Sequence, residues 1–274
     1  MIQANENSIA GVPIEIQGVS KVFGIELDKP FRALKEVNLS VKAGEFVSVV
    51  GASGCGKSTL MLLVAGLLDR TTGSITVAGK DVTAPLTDVG IAFQDHLLLE
   101  FRTALNNVLL HCDIRGVPRK PLEARARELF ASLRLEHAMD KYPKQLSGGM
   151  RQRVSLIRSL VHDPALLLMD EPFGALDALT RLQVRTDLEQ LWMRRRPTVL
   201  FITHSVEEAV GLSDRVIVMS PSPGEVIDDI KIELERPRPI VLGDAPEFGA
   251  YVDRIHRHFE RLGILHGTPL PQSA

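Results

Sequence analysis

Gly51-Ala-Ser-Gly-Cys-Gly-Lys57-Ser58 matches the phosphate-binding pattern G-x-x-x-x-G-K-[ST] without a mismatch. Glycines at 51, 54 and 56 let a backbone turn its N–H groups toward an anion, and Ser53, Cys55 and Thr59 belong to the same cradle. Lys57 has the reach for the β- and γ-phosphates of a nucleoside triphosphate, and the Ser58 hydroxyl is suited to Mg²⁺. Cys55 reads as a small residue that fits a tight loop.

Far downstream, the apolar run Ala165-Leu-Leu-Leu-Met169 ends in Asp170 and Glu171. A buried strand that delivers acids at its carboxyl end, beside a phosphate loop, supplies the outer Mg²⁺ contact, here Asp170. Glu171 is free to face a water and polarise it for attack on the γ-phosphate. A second anion-binding element lies between these two, Leu146-Ser-Gly-Gly-Met-Arg-Gln-Arg153. Ser147, Gly148 and Gly149 offer a hydroxyl and unobstructed backbone N–H groups. Ser147 also suits the N-cap of a helix. Ser-Gly-Gly is nevertheless a poor helix opening, because glycine costs about 1 kcal/mol there. One nucleotide fills one cradle, so this second element needs another purpose.

The elements that must hold these groups are legible in the patterning. Phe46-Val-Ser-Val-Val50 is a short β-branched run that reads as a buried strand, and a helix follows from Ser58 with its N-terminal dipole toward the anion. Residues 13–93 carry short strands, with turn signals at 69–73 and 78–81. The stretch 97–163 changes character. A helix beginning at Pro121 places Leu122, Ala126, Leu129, Phe130 and Leu133 on one face. From 165 onward strands and helices alternate, which implies parallel strands joined by crossovers. The helix near 178–195 carries Trp192 at core spacing, and Ile230, Ile232 and Leu234 alternate as a half-buried strand. Arg236-Pro-Arg-Pro239 then breaks regular structure. A short helix over Tyr251–Leu262 and a proline-containing tail complete the chain. The expected fold is α/β, with residues 13–240 as one domain, a helical lobe (97–163) inserted in it, and 241–274 as a short helical tail.

With these residues in place, the chain resembles the ATP-binding subunits of ABC transporters over about residues 14–235. The octet at 146–153 looks like that family's signature motif. The resemblance implies a P-loop NTPase core with an antiparallel β subdomain and the inserted lobe. It also implies roles for further residues. Phe23, in Val-Ser-Lys-Val-Phe-Gly, falls where the family sets an aromatic ring against adenine, and Gln94 at the glutamine that helps hold Mg²⁺ and the attacking water. Gly174-Ala-Leu-Asp177 matches the D-loop, and His204 matches the switch histidine at the γ-phosphate. In that family two subunits pack head to tail, and the signature of one covers the γ-phosphate held by the other. The expected cofactors are thus ATP and Mg²⁺. The expected partners are a second ATPase subunit, membrane permease subunits and, indirectly, a substrate-binding protein.

Composition bounds the same reading. The chain has 274 residues, 45% hydrophobic, a net charge of −2 and a mean hydropathy of +0.07. That charge gives no global pull toward nucleic acid. No apolar run approaches the ~20 residues that span a bilayer, and the first seven residues carry no signal-peptide pattern. The two cysteines suggest no disulfide framework. The expectation is a protein peripheral to the cytoplasmic face of a membrane. Arg194-Arg-Arg196 reads as a solvated helix end, and His96, His111, His137 and His162 lack ligand spacing. Within the family, the chain looks like importer ATPases of the nitrate, sulfonate and taurine group. It departs from many of them in lacking a Pro-Trp pair within Gln94–Phe101. Importers of thiamine or pyrimidine precursors, and soluble ABC ATPases acting on DNA or ribosomes, are the alternatives. The long coiled-coil insertion and tandem cassettes of the soluble members are not seen in this sequence.

Overall fold

The computed structural model describes residues 11–240 and 245–265. The first ten residues and the tail beyond 265, addressed above from sequence, lie outside them. The chain opens with β1 (Ile14–Phe23) and β2 (Phe31–Val41), followed by β3 (Phe46–Val50) and α1 (Lys57–Val64). Next come β4 (Thr72–Val77), β5 (Lys80–Asp81) and β6 (Val89–Ala92). Four helices form the inserted lobe: α2 (Ala104–Val108), α3 (Leu110–Arg115), α4 (Arg119–Ser132) and α5 (Gly148–Leu160). The chain then alternates through β7 (Leu166–Asp170), α6 (Ala178–Arg195), β8 (Thr198–Ile202), α7 (Val206–Leu212) and β9 (Arg215–Met219). It ends with β10 (Val226–Lys231) and α8 (Pro246–Arg261).

Two sheets result. The antiparallel one has the order β2-β1-β4-β5, and the larger one β10-β9-β3-β8-β7-β6. In the larger sheet every pair is parallel except β9 with the edge strand β10. β3, β7 and β8 are buried at every position. Strands covered on both faces have no need of polar alternation, which is why they read as continuous apolar runs. Pairing of Asp170 with Ile202, and of Val49 with Ile202, aligns the carboxyl ends of β7, β8 and β3. Open α/β sheets bind ligands at such an edge.

Trp192 is a core residue. Its ring meets Phe46 edge-on at 5.7 Å and its Nε1–H donates to the Pro197 carbonyl at 2.9 Å. Two guanidiniums cover the same indole, Arg196 at 4.6 Å and Arg236 at 4.5 Å. The reading of Arg196 as purely solvated, and of residues 236–239 as merely a breaker, therefore misses a packing role. Arg236 also pairs with Glu189 and Asp214, while Arg238 donates to the Val210 and Ser213 carbonyls. Proline φ restriction fixes this strap, and its arginines tie α6 to the end of α7.

Two helix starts differ from expectation. α4 begins at Arg119, because a proline in the first turn removes no intrahelical hydrogen bond and so need not mark its first residue. α8 begins at Pro246 rather than Tyr251, and seats Phe248, Ile255 and Phe259 in the core. His111 and His162, far apart in sequence, stack at 4.4 Å between α3 and the end of α5.

Candidate nucleotide site

The end of β3 delivers the loop 51–56, and α1 starts at Lys57. Gly56 has φ of 98°, and a Cβ there would lie 2.6 Å from Leu34 Cδ2 and 2.8 Å from the Ala33 carbonyl oxygen. Only glycine makes this turn. Lys57 folds back over the loop, its Nζ donating to the carbonyls of Gly51 and Ala52 at 2.9 Å each. Phosphate oxygens would compete for those N–H bonds with a full negative charge. Cys55 is buried, and burial pushes its thiol up despite the neighbouring Lys57. It behaves as packing.

Asp170 ends β7 and is 8% exposed. Burial holds its carboxyl above the usual range, the Ser58 hydroxyl hydrogen bond opposing, Glu171 adding to the shift and Lys57 opposing it. Its Oδ1 is buried without a hydrogen-bond partner. A buried, unpartnered carboxylate oxygen joined to a hydroxyl is a hard-oxygen donor set, which fits Mg²⁺. Glu171 has φ of 45°, a conformation that costs an L-residue about 1–3 kcal/mol. Its N–H donates to the Ile202 carbonyl at 2.9 Å, anchoring the strained residue across to β8. Its Oε2 accepts from Gln94 Nε2 at 3.2 Å and lies 3.2 Å from His204 Nδ1.

A cleft of about 690 Å³ is lined by Ser53, Gly54, Gly56, Lys57, Ser58, Thr59, Gln94, Glu171 and His204, together with Phe31 and Ala33. Residues from position 31 to position 204 therefore share one concavity. Phe23 does not line it. The aromatic at its edge is Phe31, which faces Phe23 across the β1–β2 hairpin and is half exposed. Sequence reading missed Phe31, although two phenylalanines flanking a seven-residue turn are a signal for such a cross-strand pair.

The octet also stands apart from the cleft. Ser147 is the N-cap of α5, its Oγ accepting from the Met150 N–H at 3.2 Å. A hydroxyl that accepts there still has its own proton to donate. A Cβ on Gly148 would meet nothing within 4 Å, whereas one on Gly149 would lie 3.2 Å from Leu176 Cδ2. The chain thus presents a cleft lined by the phosphate loop and, outside that lining, a Ser-Gly-Gly helix start whose serine is exposed.

A parallel sheet with a phosphate loop and acids at its carboxyl edge, and a helical lobe inserted between β6 and β7, defines a P-loop ATPase of the cassette type. Residues 34–174 match the family model described as ABC transporter, and the chain belongs to that family. It is similar to the taurine import ATP-binding protein of Rhizobium johnstonii, 40% identical over 261 residues, covering 95% of this chain and 99% of the relative. A bicarbonate transport ATP-binding protein of Synechocystis is 44% identical over 228 residues, covering 82% and 80%. Among solved structures, a dimeric ATP-binding cassette in a post-hydrolysis state, bound to ADP and Pi, superposes with a TM-score of 0.73 at 31% identity, covering 81% of this chain and 100% of that one. The chain is the ATP-hydrolysing subunit of an ABC importer.

Proposed function

We propose that this subunit hydrolyses ATP at an interface between two cassettes and so drives a membrane permease that imports a small oxyanion. The observation that carries this reading is the separation of the octet from the cleft: each half-site lacks what the other surface of the same chain displays. Head-to-tail pairing with twofold symmetry completes both at once. The relative bound to ADP and Pi is itself a dimer.

In this arrangement residues 51–59 hold the phosphates, and the edge formed by Phe31, beside its cross-strand partner Phe23, receives the base. Ser58, Asp170 and Gln94 would hold Mg²⁺, which would neutralise phosphate charge as it develops. Glu171 takes the proton of the attacking water, and His204 donates toward the γ-phosphate. Ser147, Gly148 and Gly149 of a second subunit add N–H and hydroxyl donors where negative charge develops.

The lobe beyond Gln94 is the surface for the permease. Leu97, Phe101 and Ile114 are more than half exposed there, and basic residues outnumber acidic ones between 97 and 163. Arg158 of α5 holds the carbonyls of His96 and Leu97, so a push on this segment reaches the signature helix directly. Among the described residues no helix is long and apolar enough to cross a membrane. That suits a subunit peripheral to the cytoplasmic face. Sulfonates and bicarbonate, the cargo classes named for the relatives, share a compact anionic head. Purification from membranes of the native host tests the whole reading. An integral membrane partner, with uptake of taurine or bicarbonate lost in a strain lacking this chain, is expected. Recovery without any membrane partner would overturn it.

A further inference from the structure

Ser205-Val-Glu-Glu208 has the spacing of a capping box, in which the glutamate returns to the N–H of the capping serine. Half of that box forms: Ser205 Oγ accepts from the Glu208 N–H at 3.2 Å. The other half does not. The Ser205 N–H donates instead to Thr203 Oγ1 at 3.0 Å, and Thr203 Oγ1 donates to Glu208 Oε2 at 2.6 Å. The two residues flanking His204 are thereby stapled to one another and to Glu208.

The second carboxylate oxygen turns the opposite way. Glu208 Oε1 lies 3.6 Å from Arg181 Nε, and Arg181 also donates to the Leu176 carbonyl at 2.9 Å. Leu176 belongs to the 174–177 loop and is the side chain that a Cβ on Gly149 would approach. A contiguous path therefore runs from the octet, through residues 174–177, Arg181 and Glu208, to the backbone of His204. Glu208 is only 8% exposed. Burying a carboxylate is costly, and α7 already has its serine cap, so helix capping alone does not account for this placement.

We propose that Glu208 is a positioning residue, which sets the backbone of His204 through Thr203 and makes that setting depend on the 174–177 loop through Arg181. Movement of the octet against a facing subunit's nucleotide is then felt at the histidine facing this chain's own nucleotide. The inference rests on the roles proposed above for His204 and the octet.

The test is steady-state ATPase activity of the full-length chain alongside equilibrium binding of Mg²⁺-ATP, with melting temperatures as a folding control. Thr203→Val and Glu208→Ala are expected to lower kcat about tenfold while KM and ATP affinity stay within about twofold. Glu208→Gln, which keeps an acceptor for Thr203, is expected to recover part of the loss. The Thr203→Val/Glu208→Ala double variant should fall no further than the worse single one, since both break one path. Wild-type kcat in Thr203→Val and Glu208→Gln, or fully additive losses, would overturn the proposal. If Glu208→Ala does not fold, the near-isosteric Thr203→Val and Glu208→Gln carry the test. His204→Ala separates the two readings. Wild-type turnover in it sinks the role of His204 itself; lost turnover there, with Thr203 and Glu208 variants unaffected, sinks only the positioning role.

Discussion

His204 Nδ1 stands 3.2 Å from Glu171 Oε2, the oxygen that also accepts from Gln94 Nε2. Neighbouring parallel strands deliver the two residues, one directly after β7 and the other two positions beyond β8. In the chain by itself, the carboxylate oxygen expected to take a proton from water is already engaged by the two side chains expected at the γ-phosphate.

Glu171→Gln keeps the size and both contacts but removes the basicity. Phosphate release should fall by roughly 10²–10⁴-fold, the usual contribution of a general base, with ATP affinity little changed. Wild-type turnover in this variant would assign the base elsewhere.

Asp170→Asn should stabilise the nucleotide-free protein while abolishing turnover. The native carboxyl binds its proton more tightly than the unfolded one, because burial opposes its charge. Its contribution to stability is therefore present in acid and lost as pH rises through the native pKa. Melting temperatures of variant and wild type should differ most near neutral pH and converge toward the ordinary carboxylate range. Added Mg²⁺-ATP should stabilise the wild type more than the variant. A variant that melts lower at pH 7 would contradict this.

Gly148→Leu is the cleaner probe of the facing-subunit role. Its side chain would enter open space, whereas Gly149→Leu would collide with Leu176 of its own chain. Nucleotide binding by the monomer should survive in Gly148→Leu, and turnover should fall by roughly a hundredfold or more. Loss of ATP binding before loss of turnover would mean that the octet serves its own chain.

His162 is partly buried and stacks on His111, and its pKa is lowered to about 4 by desolvation first, then by His111 and Arg115, with the Val89 carbonyl and Asp88 opposing. The unfolded imidazole takes its proton near 6.5 and the native one only near 4, so stability falls as pH drops through that window. His162→Phe preserves a stacked ring and should flatten the acid limb of stability, measured by urea unfolding across pH. Equal slopes for variant and wild type would remove His162 from the account.

Much of this molecule is local enough to be legible in its residues. The phosphate loop, the two acids at the end of β7 and the Ser147 cap each depend on a few consecutive positions, where glycine conformations, strand burial and helix ends act within a short span. The helix after the loop and the alternation beyond residue 165 follow from hydrophobic period alone. Tertiary structure decided what depends on which distant surfaces meet. Phe31, not its cross-strand partner Phe23, edges the cleft because β2 carries Phe31 and Ala33 up to the phosphate loop, where Ala33 lies against Gly56. Arg238, buried, and Arg236, partly buried, look like solvent-exposed loop residues and are drawn in because Trp192 and three carbonyls are offered to them by other elements. Glu208 reads locally as half of a capping box and is drawn off by Thr203 and Arg181. Residue types at short spacing carry the chemistry of this chain; which neighbours hold that chemistry is set by the fold, because burial and charge pairing depend on distances that sequence separation does not set.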